Sequence, residues 1–374
     1  MPDTNIRLQL LIGPTVPRPA PAEVIEAISS LEVTNTDSGR DGFQMSFTLG
    51  KDVKDLLLDY SLLLQNFFEP PNRVIIIVYI GASRPQVLID GIITSHQIAP
   101  SNTPGSSTLV ITGEDISLQM DLEEKNETFK NQSDSEIVTT ILRDYLTYGV
   151  TPKVTTTDLR RKETEGNTTQ QGTDLAFIQQ LATRNGFVFY VEPTEVPAAT
   201  RAYWGPQNYQ NSPQPALSMN MGPDTNLESL SFSFNALGPA KPKVAILNPD
   251  TKQRSPVIVP PSARPPLASN PAVSLRTTLP RDTANKEQAE AALLAIALAS
   301  NSADAVTGSG QLDAVRYGGI LRARQLVGVR GVGNSYDGSY YVKQVTHQLK
   351  LGEYKQSFSL SREGRGSIKP TVTP

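Results

Sequence analysis

Apolar and polar residues alternate with a period of two over much of the first 120 residues. Strands are predicted at residues 30–35 and 43–49, which flank a polar Gly/Asp stretch typical of a hairpin turn. A short helix is predicted over residues 55–68, where Pro70-Pro71 stops it. Three segments rich in Ile and Val predict further strands at Arg73–Ile80, residues 87–98 and residues 107–112.

The hydrophobic period becomes helical after residue 120. Ser133 and Glu136 form a capping box that opens one predicted helix. A second predicted helix ends at Asn185-Gly186, a favoured C-terminal cap. Each helix carries apolar residues at helical spacing: Ile137, Ile141 and Tyr145 in the first, and Leu175, Ile178, Leu181 and Ala182 in the second. A strand at residues 187–192 follows directly, so this segment predicts a small α/β unit.

Proline sets the middle of the chain apart. Residues 193–271 hold 15 of the 29 prolines, so most of this stretch is unsuited to a helix interior or a central strand. We interpret it as an exposed connection, apart from predicted strands at Leu227–Phe234 and Val244–Leu247. Beyond it, an Ala/Leu-rich helix is predicted at residues 286–300. The last ten residues are predicted to be a frayed tail.

The two histidines of the chain occupy what we interpret as the same position of a repeated β-meander. His96 follows the pair Asp90-Gly91, and His347 follows Asp337-Gly338. Each histidine lies in a strand-like run that precedes a turn and a second alternating strand. Two copies of one meander predict a duplicated β module, and they favour a scaffold over a single active site.

The composition excludes several classes of function. A formal net charge of −3 argues against an electrostatic nucleic-acid binder. The absence of cysteine removes disulfides, thiolate nucleophiles and Cys-ligated zinc. The longest apolar run, residues 74–80, is far too short to cross a bilayer, and the first residues lack the basic start of a signal peptide. We therefore expect assembly in the cytoplasm without a signal peptide and no direct membrane insertion.

The polar residues that stand out do not form a recognisable catalytic or metal site. His96 and His347 lie in alternating strands, without a Cys, a second nearby His or a Glu four residues along a helix. The glycines between 328 and 333 lack a Walker lysine and are interpreted as strand and turn glycines. The basic run at residues 160–162 is interpreted as a solvated face. We expect no catalytic, cofactor-binding or metal-ligating residue and no cofactor.

Three arginines alternate along one region near the second meander. Arg322, Arg324 and Arg330 would share one face if this region were a strand. Such a face could line a pore or contact a partner, and it could equally be an exposed strand surface.

Four passages, in order along the chain, carry a resemblance to a known family. They are Leu31-Glu32-Val33-Thr34 to Phe47, residues 133–146, the helix that opens with Thr173-Asp174-Leu175-Ala176-Phe177 and leads to Tyr190, and the final pair of segments from Gly338 to His347 and from Gly352 to Arg362. They resemble the opening hairpin, the first helix, the "Thr-Asp-x-x-Phe" helix and the terminal meander of the phage late control D proteins. These are the tail hub proteins of contractile phages. They are related to the N-terminal hub part of the type VI secretion spike protein VgrG and to the hubs of extracellular contractile injection systems.

The resemblance implies a mainly β fold with α+β insertions, in which each subunit has two similar β-barrel domains and a small α/β domain. Three subunits would form a pseudo-sixfold ring that docks on a sixfold tube at one side and a threefold spike at the other. The implied division is a first barrel domain at 1–122, the α/β domain at 123–193, a Pro-rich connection at 194–225, a second barrel domain at 226–364 that includes helix 286–300, and a flexible tail at 365–374.

The resemblance also implies a structural baseplate or tail hub without enzymatic activity, in a phage tail or a contractile injection particle. The expected partners are two further copies of the chain, the inner tube protein, a separate spike protein, and baseplate and LysM-type tail proteins, with no specific nucleic acid. The rival interpretation is a peptidoglycan-degrading or glycan-binding tail component. It needs a carboxylate pair in a cleft or exposed aromatic residues, for which Tyr203, Trp204 and Tyr209 are the suitable cluster.

Overall fold

The computed structural model of the protein is mainly β, and its largest sheet has 13 strands. It describes residues 6–14, 16–49, 66–81, 84–103, 105–160, 167–247, 254–257, 264–280 and 288–368. The helix predicted at residues 55–68 and the end of the predicted tail lie for the most part outside these ranges. Within them, no helix combines the length and the apolar character needed to cross a bilayer.

The first β unit comprises residues 6–115. Its elements are β1 (Ile6–Gly13), β2 (Arg18–Pro19), α1 (Ala22–Glu26), β3 (Ile28–Thr36), β4 (Gly42–Leu49), β5 (Arg73–Ile80), β6 (Gln86–Ala99) and β7 (Ser107–Asp115). The order across the sheet is β3-β4-β7-β6-β5-β1, with β2 beyond β1, and neighbours are antiparallel. The predicted strands of this region are confirmed. β1 was not predicted, and it pairs with β5 along its whole length.

An α/β unit follows the first β unit. Its elements are β8 (Glu124–Phe129), α2 (Asp134–Arg143), β9 (Val150–Val154), β10 (Thr168–Thr173), α3 (Asp174–Asn185), β11 (Val188–Pro193) and β12 (Thr200–Gly205). The capping box is confirmed, because the Ser133 amide donates to Glu136 and the Glu136 amide donates to Ser133 Oγ. The second predicted helix is also confirmed, with Thr173 as its N-cap and Gly186 in the left-handed region at its end.

The second β unit contains the rest of the chain. Its elements are β13 (Gln214–Ser218), β14 (Leu227–Phe234), β15 (Ala240–Pro242), β16 (Val244–Leu247), β17 (Arg254–Val257), β18 (Ala268–Pro271), β19 (Arg276–Thr278), α4 (Gln288–Asn301), β20 (Val306–Asp313), α5 (Ala314–Tyr317), β21 (Leu326–Arg330), β22 (Gly338–Lys350), β23 (Glu353–Arg362) and β24 (Gly364–Ser367). The strands predicted at β14 and β16 and the helix α4 are confirmed. β24 pairs with β18, so the predicted tail begins as a strand.

The two β units repeat one strand arrangement. In chain order, β13, β14, β20, β21, β22 and β23 correspond to β1, β3, β4, β5, β6 and β7. The order across the sheet is also the same, with β14-β20-β23-β22-β21-β13 matching β3-β4-β7-β6-β5-β1. The units differ in their last pair, because β13 runs parallel to β21 whereas β1 runs antiparallel to β5. The shared order supports the duplication predicted from the sequence.

Two β-bulges fix the correspondence residue by residue. The β3–β4 ladder shifts at Ser29, and the β14–β20 ladder shifts at Glu228. The β6–β7 ladder shifts at Thr94, and the β22–β23 ladder shifts at Lys343. In the first unit, the row of paired residues that starts just after the Ser29 bulge ends three residues after the Thr94 bulge. In the second unit, the row that starts just after the Glu228 bulge likewise ends three residues after the Lys343 bulge. Because a bulge is a specific local feature of a strand pair, two coincident bulges are strong evidence for a repeat.

This alignment corrects the predicted equivalence of the two histidines. His96 corresponds to Val345, and His347 corresponds to Ile98, so the histidines lie two positions apart in the repeat. The Asp-Gly pairs gave the wrong register because Gly91 precedes its bulge by three residues and Gly338 precedes its bulge by five.

The two β units share one hydrophobic core. Buried side chains from both units belong to a single cluster, with Val33 and Met45 from the first and Val345 and Phe358 from the second. The α/β unit has its own core between α2, α3 and its strands. Trp204 of β12 belongs to that second core, although the sequence placed residues 194–225 in an exposed connection.

The later part of the Pro-rich middle, together with α4, lies in an insertion between β14 and β20, whereas its earlier part contains β12, β13 and β14. The short strands of the insertion pair as β15 with β19 and β16 with β17, and α4 packs on the second pair through Ala291 and Ala295. Gly186 lies where α4 meets the end of α3, and a β-carbon there would come within 2.9 Å of the Ala297 Cα atom. The described part of the insertion therefore contacts the α/β unit and contains paired strands and a helix, where the sequence predicted mostly an exposed connection.

Candidate functional site

The two β units meet along β3 and β22. Six residue pairs, from Gln344↔Thr36 to Leu349↔Leu31, join these strands in antiparallel register. One edge of β22 pairs with β23. The opposite edge of β22 pairs with the short strand β21 near its start and with β3 along the rest. The Asp37 amide donates to the Lys343 carbonyl at 2.8 Å, which sets the alternation of backbone bonds along the ladder. In that alternation the backbone of every second residue from Val345 onward faces β3.

His347 lies in the middle of this junction and is fully buried. Its Nε2 atom is 3.0 Å from Asn35 Oδ1, an atom that only accepts, so the proton of the neutral ring lies on Nε2. Its Nδ1 atom accepts from the Tyr354 hydroxyl at 2.7 Å and is 3.2 Å from the Gln356 amide nitrogen. Burial, with a smaller contribution from the positive charge of Arg322, lowers the pKa of His347 to about 3. The ring is therefore a neutral structural bridge between the two units.

A buried ion pair continues the polar junction beyond Asn35. The Asn35 amide donates to Asp41 Oδ2 at 2.9 Å, and Arg324 donates to Asp41 Oδ1 at 2.5 Å. The Arg324 guanidinium also lies 4.1 Å from the centre of the Tyr190 ring, so it connects both β units to the α/β unit. We call Asn35, Asp41, Arg324, His347 and Tyr354 the junction cluster. Its members pair with one another because an unpaired buried charge or amide would be costly.

A second buried carboxylate adjoins the junction cluster. Asp115 accepts hydrogen bonds from the Asp41 amide at 2.6 Å and from the Ser117 amide at 2.8 Å. Burial, and then repulsion by the Asp41 carboxylate, raise the pKa of Asp115 to about 7. The end of β7 is thus connected to the β3–β4 turn by side-chain contacts to the backbone.

The arginine triad does not line a pore. Arg322 donates to the Val87 carbonyl and to Gln86, both at 2.8 Å, and Arg324 is buried in the junction cluster. Arg330 donates to Ser218 Oγ at 2.7 Å. The first two precede β21 and point toward the first β unit, so the single strand face that alternation predicted does not form. They hold the two units together.

One face of the largest sheet is polar and almost uncharged over eight consecutive strands, from β14 to β6. We call this surface the polar face. Its members are Ser229, Ser231, Ser233, Thr307, Ser309, Gln311, Lys355, Ser357, Ser359, Gln344, Thr346, Gln348, Ser30, Glu32, Thr34, Gln44, Ser46, Thr48, Thr108, Val110, Thr112, Ser95, Gln97 and Ala99. Of this set only Glu32 and Lys355 are charged. Asp313 lies opposite Lys355 in the next strand, and Lys355 forms ion pairs with Glu228 and Glu353. The face crosses the junction without interruption, and there the hydroxyls of Thr34 and Thr346 are 3.1 Å apart.

Two strand edges of the same sheet are uncovered in the part of the chain that the structure describes. β14 pairs with β20 alone, so its outer edge is open. In β6, residues 95–99 pair with β7 on one side, and all residues from 94 to 99 are exposed, including His96. His96 is therefore a surface residue, and its ring nitrogen is 3.5 Å from the Phe68 carbonyl.

Of the three aromatic candidates for a glycan site, two are buried, and Tyr203 is partly exposed and stacks on Tyr190. Trp204 is fully buried and its indole nitrogen donates to the Ile178 carbonyl at 3.3 Å. Tyr209 is also buried and stacks on Tyr341, so these two rings do not offer an exposed sugar-binding face. Arg160 pairs with Glu136 at the surface, as the solvated-face interpretation predicts, and residues 161 and 162 lie outside the described residues. Gly331 and Gly333 follow β21 with positive φ angles, which confirms them as turn glycines.

A cleft of about 550 Å³ opens in the Pro-rich insertion. Its walls include Pro239, Pro242, Pro265, Pro266 and Pro271, together with Tyr209, Lys241, Arg264 and Glu363. Within the described residues, no three His, Asp or Glu side chains come together as a metal-binding group.

The junction cluster was not predicted, although the sequence carries a signal for it. Asn35 and His347 occupy inward positions of alternating strands, where apolar residues are the rule. Polar residues at the buried phase of a strand require buried partners. Which partners they would find was not evident, because Asn35 and His347 are 312 residues apart in the chain.

Two comparisons with known sequences give little information. The sequence model of the Alg8 N-terminal domain family matches residues 52–205. That segment includes β5, β6 and β7 of the first β unit and the strands and helices of the α/β unit. No curated protein matches the chain.

Comparison with solved structures identifies the fold. A tail protein from Neisseria meningitidis MC58 superposes with a TM-score of 0.64 at 12% identity, covering 96% of this chain and 98% of that one. The 43 kDa tail protein of prophage MuSo2 from Shewanella oneidensis gives a TM-score of 0.63 at 12% identity, with the same coverage. An Escherichia coli component of the type VI secretion system, described as similar to the T4 tail proteins gp27 and gp5, gives a TM-score of 0.55 at 11% identity and covers 93% of this chain and 77% of that one. This chain therefore has the fold of these phage tail proteins, and the resemblance to the tail hub family drawn from the sequence is confirmed at the level of the fold.

Proposed function

We propose that this chain is the structural hub of a contractile phage tail or of a phage-tail-like injection particle, where it joins the inner tube to a separate spike. In this proposal each β unit is one barrel domain, and three copies form a ring of six units. The role is mechanical and needs no catalytic residue. The domain division is kept as predicted from the sequence with three changes. The α/β domain extends to include β12, β13 of the predicted connection joins the second barrel domain, and β24 at the start of the predicted tail joins it as well.

The repeated strand arrangement is the observation that carries the proposal. Two units with the same strand order and the same bulges give a trimer six similar units in a ring. Such a ring resolves a mismatch between a sixfold and a threefold partner, because its units repeat six times and its chains three times. The fold shared with tail proteins, and with a component of the type VI secretion system, supports the same assignment.

We assign the polar face to the inner wall of this ring. The opposite side of the sheet packs on the shared core, so the polar face is the side left for solvent. Hydroxyl and amide groups bind water easily, and a wall with few charges neither attracts nor repels a charged molecule strongly. The tube, the spike, and baseplate and LysM-type proteins then bind the rims and the outside.

The mass of the purified protein in solution tests the proposal. Light scattering is expected to give three times the chain mass of 40.6 kDa, either for the protein alone or after addition of the spike protein encoded beside it. Addition of an unrelated trimeric protein serves as the control. A chain that stays monomeric and does not bind the spike contradicts the hub assignment.

A further inference from the structure

The repeat predicts where one copy of the chain binds the next. In the second β unit, residues 344–349 of β22 are covered by β3. The corresponding residues of β6 run from Ser95 to Pro100, and no strand of the described chain covers them. The first unit thus repeats the strand and its bulge, but it lacks the neighbour that the second unit has.

The missing neighbour also has a counterpart. β3 has two edges: one pairs with β4 and the other pairs with β22. In the second unit, β14 is the strand that corresponds to β3. The same edge of β14 faces no other strand of the described chain, because β20 occupies the opposite edge. The chain therefore presents two complementary halves of a junction that it already forms once internally, and these halves lie at opposite ends of one sheet.

We propose that β6 of one copy pairs antiparallel with β14 of a second copy, in the register of the internal β22–β3 junction. This inference rests on the proposed hub function and specifies its subunit contact. Transfer of the observed register through the two bulges pairs Ser95 with Asn235, His96 with Phe234, Gln97 with Ser233, Ile98 with Phe232 and Ala99 with Ser231.

The side chains on the two open edges fit this pairing. Ile98 is 36% exposed and Phe234 is 38% exposed, and the Arg365 guanidinium lies 4.8 Å from the centre of the Phe234 ring. The two apolar side chains would lie diagonally across the new junction. Residues 95–99 and 231–235, which pair in this register, contain no Lys, Arg, Asp, Glu or Pro, the residues that usually prevent an edge strand from pairing. Pro100 would lie opposite Leu230, and it would end the ladder there because it has no backbone amide to donate. The polar face would continue as well, because Gln97 and Ser233 take the places of Thr346 and Thr34.

The pairing also closes the assembly. Each copy contributes one β6 edge and one β14 edge, so the contact is head-to-tail and generates a ring when the rotation between copies closes. Backbone bonds of a continued sheet bind the next copy in the way that an added strand binds an open sheet edge.

Engineered cysteines test the register directly, because the natural chain contains none. In the internal junction the Oγ1 atoms of Thr34 and Thr346 are 3.1 Å apart, so cysteines at these sites would be close enough for a disulfide. The variant T34C/T346C is therefore the intramolecular positive control. The test variant is Q97C/S233C, which carries cysteines at the corresponding positions. Six strands separate these two positions within one copy, so any disulfide between them joins two copies.

A second variant, Q97C/S231C, is the matched control for register. Ser231 is exposed on the same face of the same strand as Ser233, two positions away. After mild oxidation, non-reducing gels should show Q97C/S233C shifted to covalent dimers and trimers, whereas Q97C/S231C should give at least tenfold less product. All variants are compared by light scattering before oxidation.

The outcomes separate this inference from the hub assignment. A trimer that cross-links in the T34C/T346C control but gives no more product with Q97C/S233C than with Q97C/S231C overturns the proposed contact and leaves the hub assignment standing. A chain that is monomeric with and without the spike overturns both. A trimer with the register-specific cross-link supports both.

Discussion

The two β units share their strand order and their bulges, but they differ at one edge. The edge of β22 is covered by β3 from the same chain, and the junction cluster lies behind it. The corresponding edge of β6 is exposed, and Ile98 stands at the position of His347. The internal junction is thus specified by buried polar groups, whereas the open edge carries an exposed apolar residue in their place. The same position of the repeat therefore carries a buried polar residue where the neighbouring strand belongs to the same chain, and an exposed apolar residue where it does not.

Among the tests of the difference between the two edges, proline substitutions at equivalent positions should have the largest effect on stability. Val345 and His96 correspond, and the alternation of backbone bonds directs the Val345 amide toward β3 and the His96 amide toward the open edge. V345P removes a ladder bond inside the sheet and leaves its buried acceptor unpaired, at a cost of about 1–3 kcal/mol, and the lost Val burial adds about 2 kcal/mol. H96P should change the unfolding free energy by less than about 1 kcal/mol, because proline is tolerated on an open edge.

Chemical denaturation and light scattering together check this pair. We expect V345P to unfold at much lower urea concentration, and H96P to fold normally but to remain monomeric. If both variants lose similar stability, the edge of β6 is not open. If H96P still forms the full trimer, β6 does not pair through this edge.

Removal of the arginine from the junction cluster should have the next largest effect. R324A leaves the buried Asp41 carboxylate without its cation, which typically costs about 3–5 kcal/mol. The matched control is R160A, which removes an arginine from a surface ion pair and should cost less than about 1 kcal/mol. Urea unfolding at pH 7 distinguishes the two, and equal small losses would show that the Asp41–Arg324 pair contributes little.

The pH dependence of stability should identify the buried histidine. The pKa of His347 falls from its usual value near 6.5 to about 3 in the folded chain. The unfolded chain therefore binds a proton between these pH values that the folded chain does not. The stability contributed by neutral His347 is complete above about pH 6.5 and is lost as the pH falls, by about 1.4 kcal/mol per pH unit. Asp115, whose pKa is raised to about 7, acts in the opposite direction.

The effect of Asp115 cancels when the natural chain is compared with H347Q. We expect the difference in unfolding free energy between them to shrink as the pH is lowered from 6.5 toward 4. H96Q alters an exposed side chain and should stay within about 0.5 kcal/mol of the natural chain at pH 7. A difference that is constant with pH would show that His347 is not held neutral.

Strong local signals in the sequence predicted their elements correctly. The strand Arg73–Ile80 is apolar except for Arg73 and Tyr79, and it was predicted with the bounds that the structure has. The Ser133–Glu136 capping box gave the start of α2, because both of its hydrogen bonds are local. Such elements depend on residues a few positions apart, and these are visible in the chain itself.

Features that depend on distant residues were missed. β20 contains Gly308 and Gly310, which in sequence resemble loop residues. In the structure the Phe232 ring covers Gly308 and the Phe358 ring covers Gly310, and a side chain would clash at either position. The equivalence of the two histidines was wrong because only the ladders reveal the bulges. The polar face was not predicted either, since single Ser and Thr residues give no sign that eight strands will align them.

The ladder between β3 and β22 should respond differently to a force along its strands and to a force across them. Its backbone bonds are perpendicular to the strands, so a pull along the strands shears all six residue pairs at once. A pull across the strands would instead open the pairs one after another, at much lower force. If force acts along the strands, as in a particle that drives its tip forward in that direction, this ladder would resist it strongly. A sideways bending force would be resisted much less.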